Sequence, residues 1–138
     1  MSEKITVSTS VNAAPDKVWE FWTTPEHIEK WNNASEDWHT PHAEVDLKPG
    51  GKFLSRMEAK DGSFGFDFTG TYEEIEKEQR ITYSMEDGRY VEIIFIKKSD
   101  SETEVVETFD TENENSPELQ RQGWQAILNN FKAYTEAN

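Results

Sequence analysis

The chain has 138 residues, 28 acidic against 14 basic side chains, a net charge of −14 and no cysteine. This length suits one domain, 1–138, with a buried core. The charge repels phosphate backbones and anionic lipid heads, arguing against nucleic-acid and membrane-surface partners, and the missing thiols exclude disulfides and thiolate chemistry.

Leu, Ile, Val and Phe number 27 of 138, near the level at which a highly charged chain stays unfolded. Five Trp and four Tyr lie outside that count, and the apolar residues recur at strand and helix periods. A folded domain with an aromatic core is therefore expected.

Ile5, Val7, Thr9 and Val11 alternate with polar neighbours and predict a half-buried strand. Ala14-Pro15-Asp16 and Thr24-Pro25-Glu26 are helix starts, each with proline at the first helical position and an acid in the first turn. The first predicts a short helix carrying Val18, Phe21 and Trp22; the second predicts one that carries Ile28 and runs out near Trp31. The segment EKWNNASEDWHTPH, 29–42, has neither period and reads as a loop around Trp31 and Trp38. Beyond it Ala43, Val45 and Leu47 alternate into the turn Lys48-Pro49-Gly50-Gly51, and Phe53, Ser55 and Met57 alternate on its far side, which predicts a hairpin.

Asp61-Gly62 turns the chain into Phe64, Phe66 and Phe68 on one strand face, with Gly70 as the expected bulge before Tyr72 and Ile75. Ile81, Tyr83 and Met85 predict the next strand, closed by Asp87-Gly88. Val91, Ile93 and Phe95 alternate with Glu92, Ile94 and Ile96, as in a strand covered on both faces, and Val105, Glu107 and Phe109 end an antiparallel sheet. Ser116-Pro117-Glu118 then starts a long helix with Leu119, Trp124, Ile127, Leu128 and Phe131 in its apolar stripe. That stripe needs an apolar partner, and the concave sheet is the large candidate.

The N-terminal MSEKITVSTS has no apolar signal region, and no run approaches the ~18 apolar residues of a membrane span, so a cytoplasmic protein is expected. There is no nucleophile elbow, phosphate loop, dinucleotide fingerprint or HExxH, and no cofactor motif. His39 and His42 form an HxxH with Glu36, Asp37 and Glu44 nearby, but without helical spacing they read as surface histidines and no metal is expected. No spacing fixes two carboxyls across a cleft, so no catalytic pair is assigned.

Ala14-Pro15-Asp16-Lys17-Val18-Trp19, Thr24-Pro25-Glu26-His27-Ile28 with Trp31, Asp46-Leu47-Lys48-Pro49-Gly50-Gly51-Lys52-Phe53, Gly70 with Tyr72, and Gly123-Trp124 carry a resemblance. Together they resemble the START-like SRPBCC superfamily, and within it the group related to the C-terminal domain of the activator of the heat-shock protein 90 ATPase. The resemblance implies an α+β helix-grip fold: a curved antiparallel sheet of six or seven strands, two short helices after the first strand, and a long C-terminal helix across the sheet. It also implies a hydrophobic cavity between sheet and helix, used by superfamily members for lipids and flat aromatic molecules.

On that frame Phe53, Met57, Phe66, Phe68, Tyr83, Met85 and Phe95, with Trp124, Ile127 and Leu128 from the helix, are the expected cavity lining. Trp31 and Trp38 are expected at its rim, facing a ligand or capping the core. Arg56, on the opposite strand face, is expected in a solvated ion pair. The first functional expectation is capture of a small hydrophobic molecule. The second is contact with a chaperone ATPase, and the third a cyclase-like enzyme, which would require an inward polar pair such as a buried Glu or Arg converging with Tyr83.

Overall fold

In β1 (Lys4–Val11), Ile5, Val7 and Val11 are buried while Lys4, Thr6, Ser8 and Ser10 face solvent, so the alternating pattern sets one inward face. The computed structural model describes residues 3–138; Met1 and Ser2, counted in the expected unit 1–138, lie outside the described residues. Two proline-started helices follow, α1 (Pro15–Thr23) and α2 (Pro25–Trp31), then six strands: β2 (Trp38–Val45), β3 (Lys52–Ala59), β4 (Gly65–Glu76), β5 (Arg80–Ser84), β6 (Tyr90–Ser99) and β7 (Glu102–Asp110). A helix of 21 residues, α3 (Pro117–Ala137), completes the chain, with the Ser116 hydroxyl accepting from the Leu119 amide at 3.1 Å as its N-cap.

The strands form one sheet in the order β1-β7-β6-β5-β4-β3-β2, every pair antiparallel. The sheet curls into a half-barrel, and the α+β helix-grip architecture expected from the sequence is present. Both edge strands are covered by helices, which removes the exposed ladder groups that invite pairing with another chain. On β1, Arg121, Gln125 and Lys132 of α3 donate to the carbonyls of Thr6, Ser8 and Ser10 at 3.1, 3.1 and 2.8 Å. On β2, Glu29 of α2 accepts from the Ala43 amide at 3.1 Å, and Thr40 donates to the Asn32 carbonyl at 2.6 Å. These bonds fix the helices over the concave face, where Phe131 of α3 meets Trp22 and Trp31 edge-on at 4.8 and 5.0 Å.

Several expectations need correction. The loop after α2 is short, because Trp31 ends the helix and Trp38 already begins β2; Asn130 of α3 clamps the connection through the carbonyls of Trp31 and Asn33. The β4 bulge is at Glu73, since Tyr72 pairs with Tyr83 but Glu74 with Thr82. The extra residue turns both Tyr72 and Ile75 toward the core despite their odd spacing. Gly70 has a different role: a Cβ there would sit 2.5 Å from the Phe53 ring, so the missing side chain is what lets that ring lie flat on the sheet. Phe64 falls before β4 and is exposed, Ile96 is exposed, so β6 is covered on one face only, and Leu119 faces solvent. Gln120 takes the buried place on the first turn of α3 instead, holding the Glu112 and Asn115 carbonyls.

Candidate functional site: a ring-lined cavity with a buried acid

Between the concave face of the sheet and the helices lies a cavity of about 250 Å³. Strand alternation builds its floor: Phe53, Ser55 and Met57 from β3, Phe66, Phe68 and Tyr72 from β4, Ile81 and Tyr83 from β5, Ile93 from β6 and Glu107 from β7. Trp124 and Ile127 of α3 form its roof, and Trp22, Ile28, Trp31 and Asn32 close one end. Exposed residues Glu44 and Phe66 also line it, so the cavity reaches the surface beside β2 and β4. The rings interlock around it: Phe53 meets Tyr83 edge-on at 4.7 Å, Phe68 meets Trp124 at 6.4 Å, and Trp124 stacks on Phe109 at 4.0 Å.

Trp31, Phe53, Met57, Phe66, Phe68, Tyr83, Trp124 and Ile127 thus border one cavity. Trp31 is wall rather than loop: it is buried, and its indole N–H donates to the Phe21 carbonyl at 2.9 Å. Four expected residues lie elsewhere. Trp38 pairs with Ala59, one inward position beyond Met57, and rests on Phe64 and Phe66 past the cavity's end. Met85 follows the last residue of β5 and is buried at the turn. Phe95 faces inward but is covered by Trp19 and Trp22 of α1, at 5.4 and 5.9 Å. Leu128 is one residue, about 100° of helix rotation, from Ile127 and is wholly buried in the core.

The inward polar group that the sequence reading did not identify is Glu107. It pairs with Val7 and Ile93 in an otherwise apolar row and is 7% exposed. Among the described residues no hydrogen-bond partner meets its carboxyl or the Tyr72 or Tyr83 hydroxyl, and none of these oxygens is fully enclosed, as the Thr135 hydroxyl is, so they open onto the cavity. Burial pushes the Glu107 carboxyl up to about 8, because a charge there has lost its water. Burial also pushes the Tyr83 hydroxyl well up, with the Glu107 and Tyr72 charges adding to the shift and Arg89 opposing it. Tyr72 rises through burial and then through Asp46. At neutral pH the three groups are therefore uncharged and can each donate or accept.

The strand phase contained the signal: Thr103, Val105, Glu107 and Phe109 are the four buried residues of β7, a strict alternation in which one member is charged. Arg56, as expected, faces outward and pairs with Glu58 and Asp67 at 2.9 and 3.2 Å. His39 and His42 do not converge; they meet Glu58 and Glu44 at 3.9 and 2.7 Å, and no group of three metal-ligating side chains occurs among the described residues. No helix among them is long and apolar enough to cross a membrane.

Solved structures resemble the chain over nearly its whole length. The AHSA1-like protein from Aeromonas hydrophila is 46% identical, with a TM-score of 0.90 over 98% of this chain and 93% of that one. A Cytophaga hutchinsonii protein is 52% identical, with a TM-score of 0.84 over the same shares. A Chromobacterium violaceum protein at 21% identity, TM-score 0.85 over 99% of both chains, shares the fold. No match is found among curated proteins. Residues 12–136 match the family described as Activator of Hsp90 ATPase homolog 1-like protein. The chain therefore belongs to the Activator of Hsp90 ATPase homolog 1-like family.

Proposed function

We propose that the protein captures a small, largely apolar molecule in the cavity under α3. The observation that carries this reading is the cavity itself: about 250 Å³, with eight aromatic side chains in its lining, and reaching the surface at Phe66 and Glu44. Ligand pockets of roughly 300–1,000 Å³ hold drug-sized molecules, so this volume suits a compact one- or two-ring ligand better than a long acyl chain. Trp22, Trp31 and Trp124 border it and supply an intrinsic reporter. Titration with neutral ring compounds should give a saturable change in tryptophan emission. Ile127→Trp, which places a second indole in the roof, should weaken that response by at least about tenfold, equivalent to roughly 1.4 kcal/mol. Absence of saturation in the wild-type protein at every accessible concentration would overturn the reading.

A second reading is contact with an Hsp90-type ATPase. Trp38, Phe64 and Phe66 lie 6.0–6.2 Å apart, and Phe64 and Phe66 are 61% and 41% exposed, an aromatic surface group of the kind that marks protein contacts. Calorimetry against purified Hsp90 separates the readings. Binding that Phe64→Ser abolishes and Ile127→Trp leaves intact supports the surface contact; no heat with the wild-type protein excludes it.

A further inference from the structure

We propose that the ligand carries a protonated amine and that Glu107 is its counter-ion, an assignment that rests on the capture reading above. Glu107 is more than nine-tenths buried, lines the cavity and has no hydrogen-bond partner among the described residues. Among the described residues the Thr135 hydroxyl is the one side-chain polar atom that is both fully enclosed and unpartnered, so the Glu107 oxygens open onto the cavity, where a ligand can take the place of water on them. The charges around the cavity select the sign of that ligand. Its described lining holds two carboxylic acids, Glu44 at the mouth and Glu107 within, and no Lys, Arg or His. A carboxylate ligand would find no positive side chain in that lining, since His42 beside the mouth is taken by Glu44, whereas an ammonium would find a carboxylate, the tyrosine oxygens as acceptors and the faces of several rings, which attract cations. The net charge of −14 draws cations toward the protein and repels anions.

At neutral pH the free cavity holds Glu107 protonated and the free amine holds its own proton. On binding, the ammonium remains protonated, Glu107 becomes the carboxylate, and one proton passes to solvent. Of the titratable groups around the cavity, Tyr83 on β5 interacts with Glu107 and in turn with Tyr72 on β4 and with Arg89, and Glu44 lies at the mouth; Val7 of β1, Ile93 of β6 and Trp124 and Ile127 of α3 do not titrate. Glu107 is therefore the group that releases the proton. A neutral ligand would leave that proton in place.

Calorimetry of the full chain at pH 7 with three shape-matched probes tests the assignment: 2-phenylethylamine, 2-phenylethanol and 3-phenylpropionate. The amine should bind at least about tenfold tighter than the alcohol, with the carboxylate weakest. Repeating the amine titration in buffers of different ionisation heat should show release of close to one proton. Glu107→Gln should erase the amine preference and the proton release while still binding the alcohol. An alcohol that binds as tightly as the amine, amine binding without proton release, or a preference that survives in Glu107→Gln would overturn the assignment and leave capture standing. If no probe binds while neutral ring compounds do, the amine assignment alone falls; if neither set binds, capture falls with it. The proton count on the wild-type protein keeps the test decisive even if the variant misfolds.

Discussion

Replacing Phe131 with alanine should lower the unfolding free energy by about 3–5 kcal/mol, the usual range for deleting a wholly buried ring. Phe131 is wholly buried and sits edge-on against Trp22 of α1 and Trp31 of α2. Its ring thus joins the three helices, beside the partly buried Tyr134 of α3, which meets Phe21 of α1 at 5.5 Å and His27 of α2 at 2.7 Å. The substitution loses the transfer free energy of the ring and leaves a void, because the walls are themselves large rings that collapse poorly. Against a typical domain stability of about 5–15 kcal/mol the loss is large. For a chain of this length it should lower the melting temperature on the order of 10–20 °C. Urea denaturation followed by tryptophan emission measures it. A loss below about 1 kcal/mol would show that α3 is not seated on Trp22 and Trp31 as described.

The same ring cluster shows what could be read from the chain. Proline at 15, 25 and 117 with an acid behind it set three helix starts, and alternation set the inward phase of β1, β3, β5 and β6. These are local signals, so a single sequence carries them. What failed was non-local. Gly70 looked like a bulge because glycine permits one, but its purpose is clearance under Phe53, a residue on the neighbouring strand. Trp38 and Phe95 share the inward face with the cavity residues and miss the cavity because of position along the sheet, which alternation does not encode. Leu119 fits the helical stripe yet is exposed on the first turn, where Gln120 is buried and bonds the preceding segment. Glu107 is the instructive case: it alternates with the buried Val105 and Phe109, yet the expected lining left it out. A charged residue in the apolar phase of a strand is therefore a site signal rather than an irregularity in the pattern.

That placement has a consequence for stability that does not depend on any ligand. The carboxyl titrates near 4.5 when unfolded and near 8 when folded. Between those values the folded state holds a proton that the unfolded state has released, so stability falls as pH rises, by about 1.4 kcal/mol per pH unit. The stabilising contribution is fully present below about pH 4.5 and lost by about pH 8. Integrated over the interval it is on the order of 5 kcal/mol, comparable to the loss of Phe131. Opposing terms come from Asp61, Asp87, Asp110 and Glu136, whose pKa values are lowered. They add stability above their unfolded range and lose it only toward acid pH, so they leave the slope above pH 5 intact. Tyr83 and Tyr72, pushed upward, stay protonated throughout the interval. Urea midpoints of the wild-type protein should therefore decline steadily from pH 5 to pH 8 and then level. Glu107→Gln, of the same shape but unable to ionise, should be nearly flat across that range and the more stable of the two at pH 8. A wild-type curve that is level or rising between pH 5 and 8 would mean that the Glu107 carboxylate is already solvated or paired when folded, and the counter-ion role would lose its basis with it.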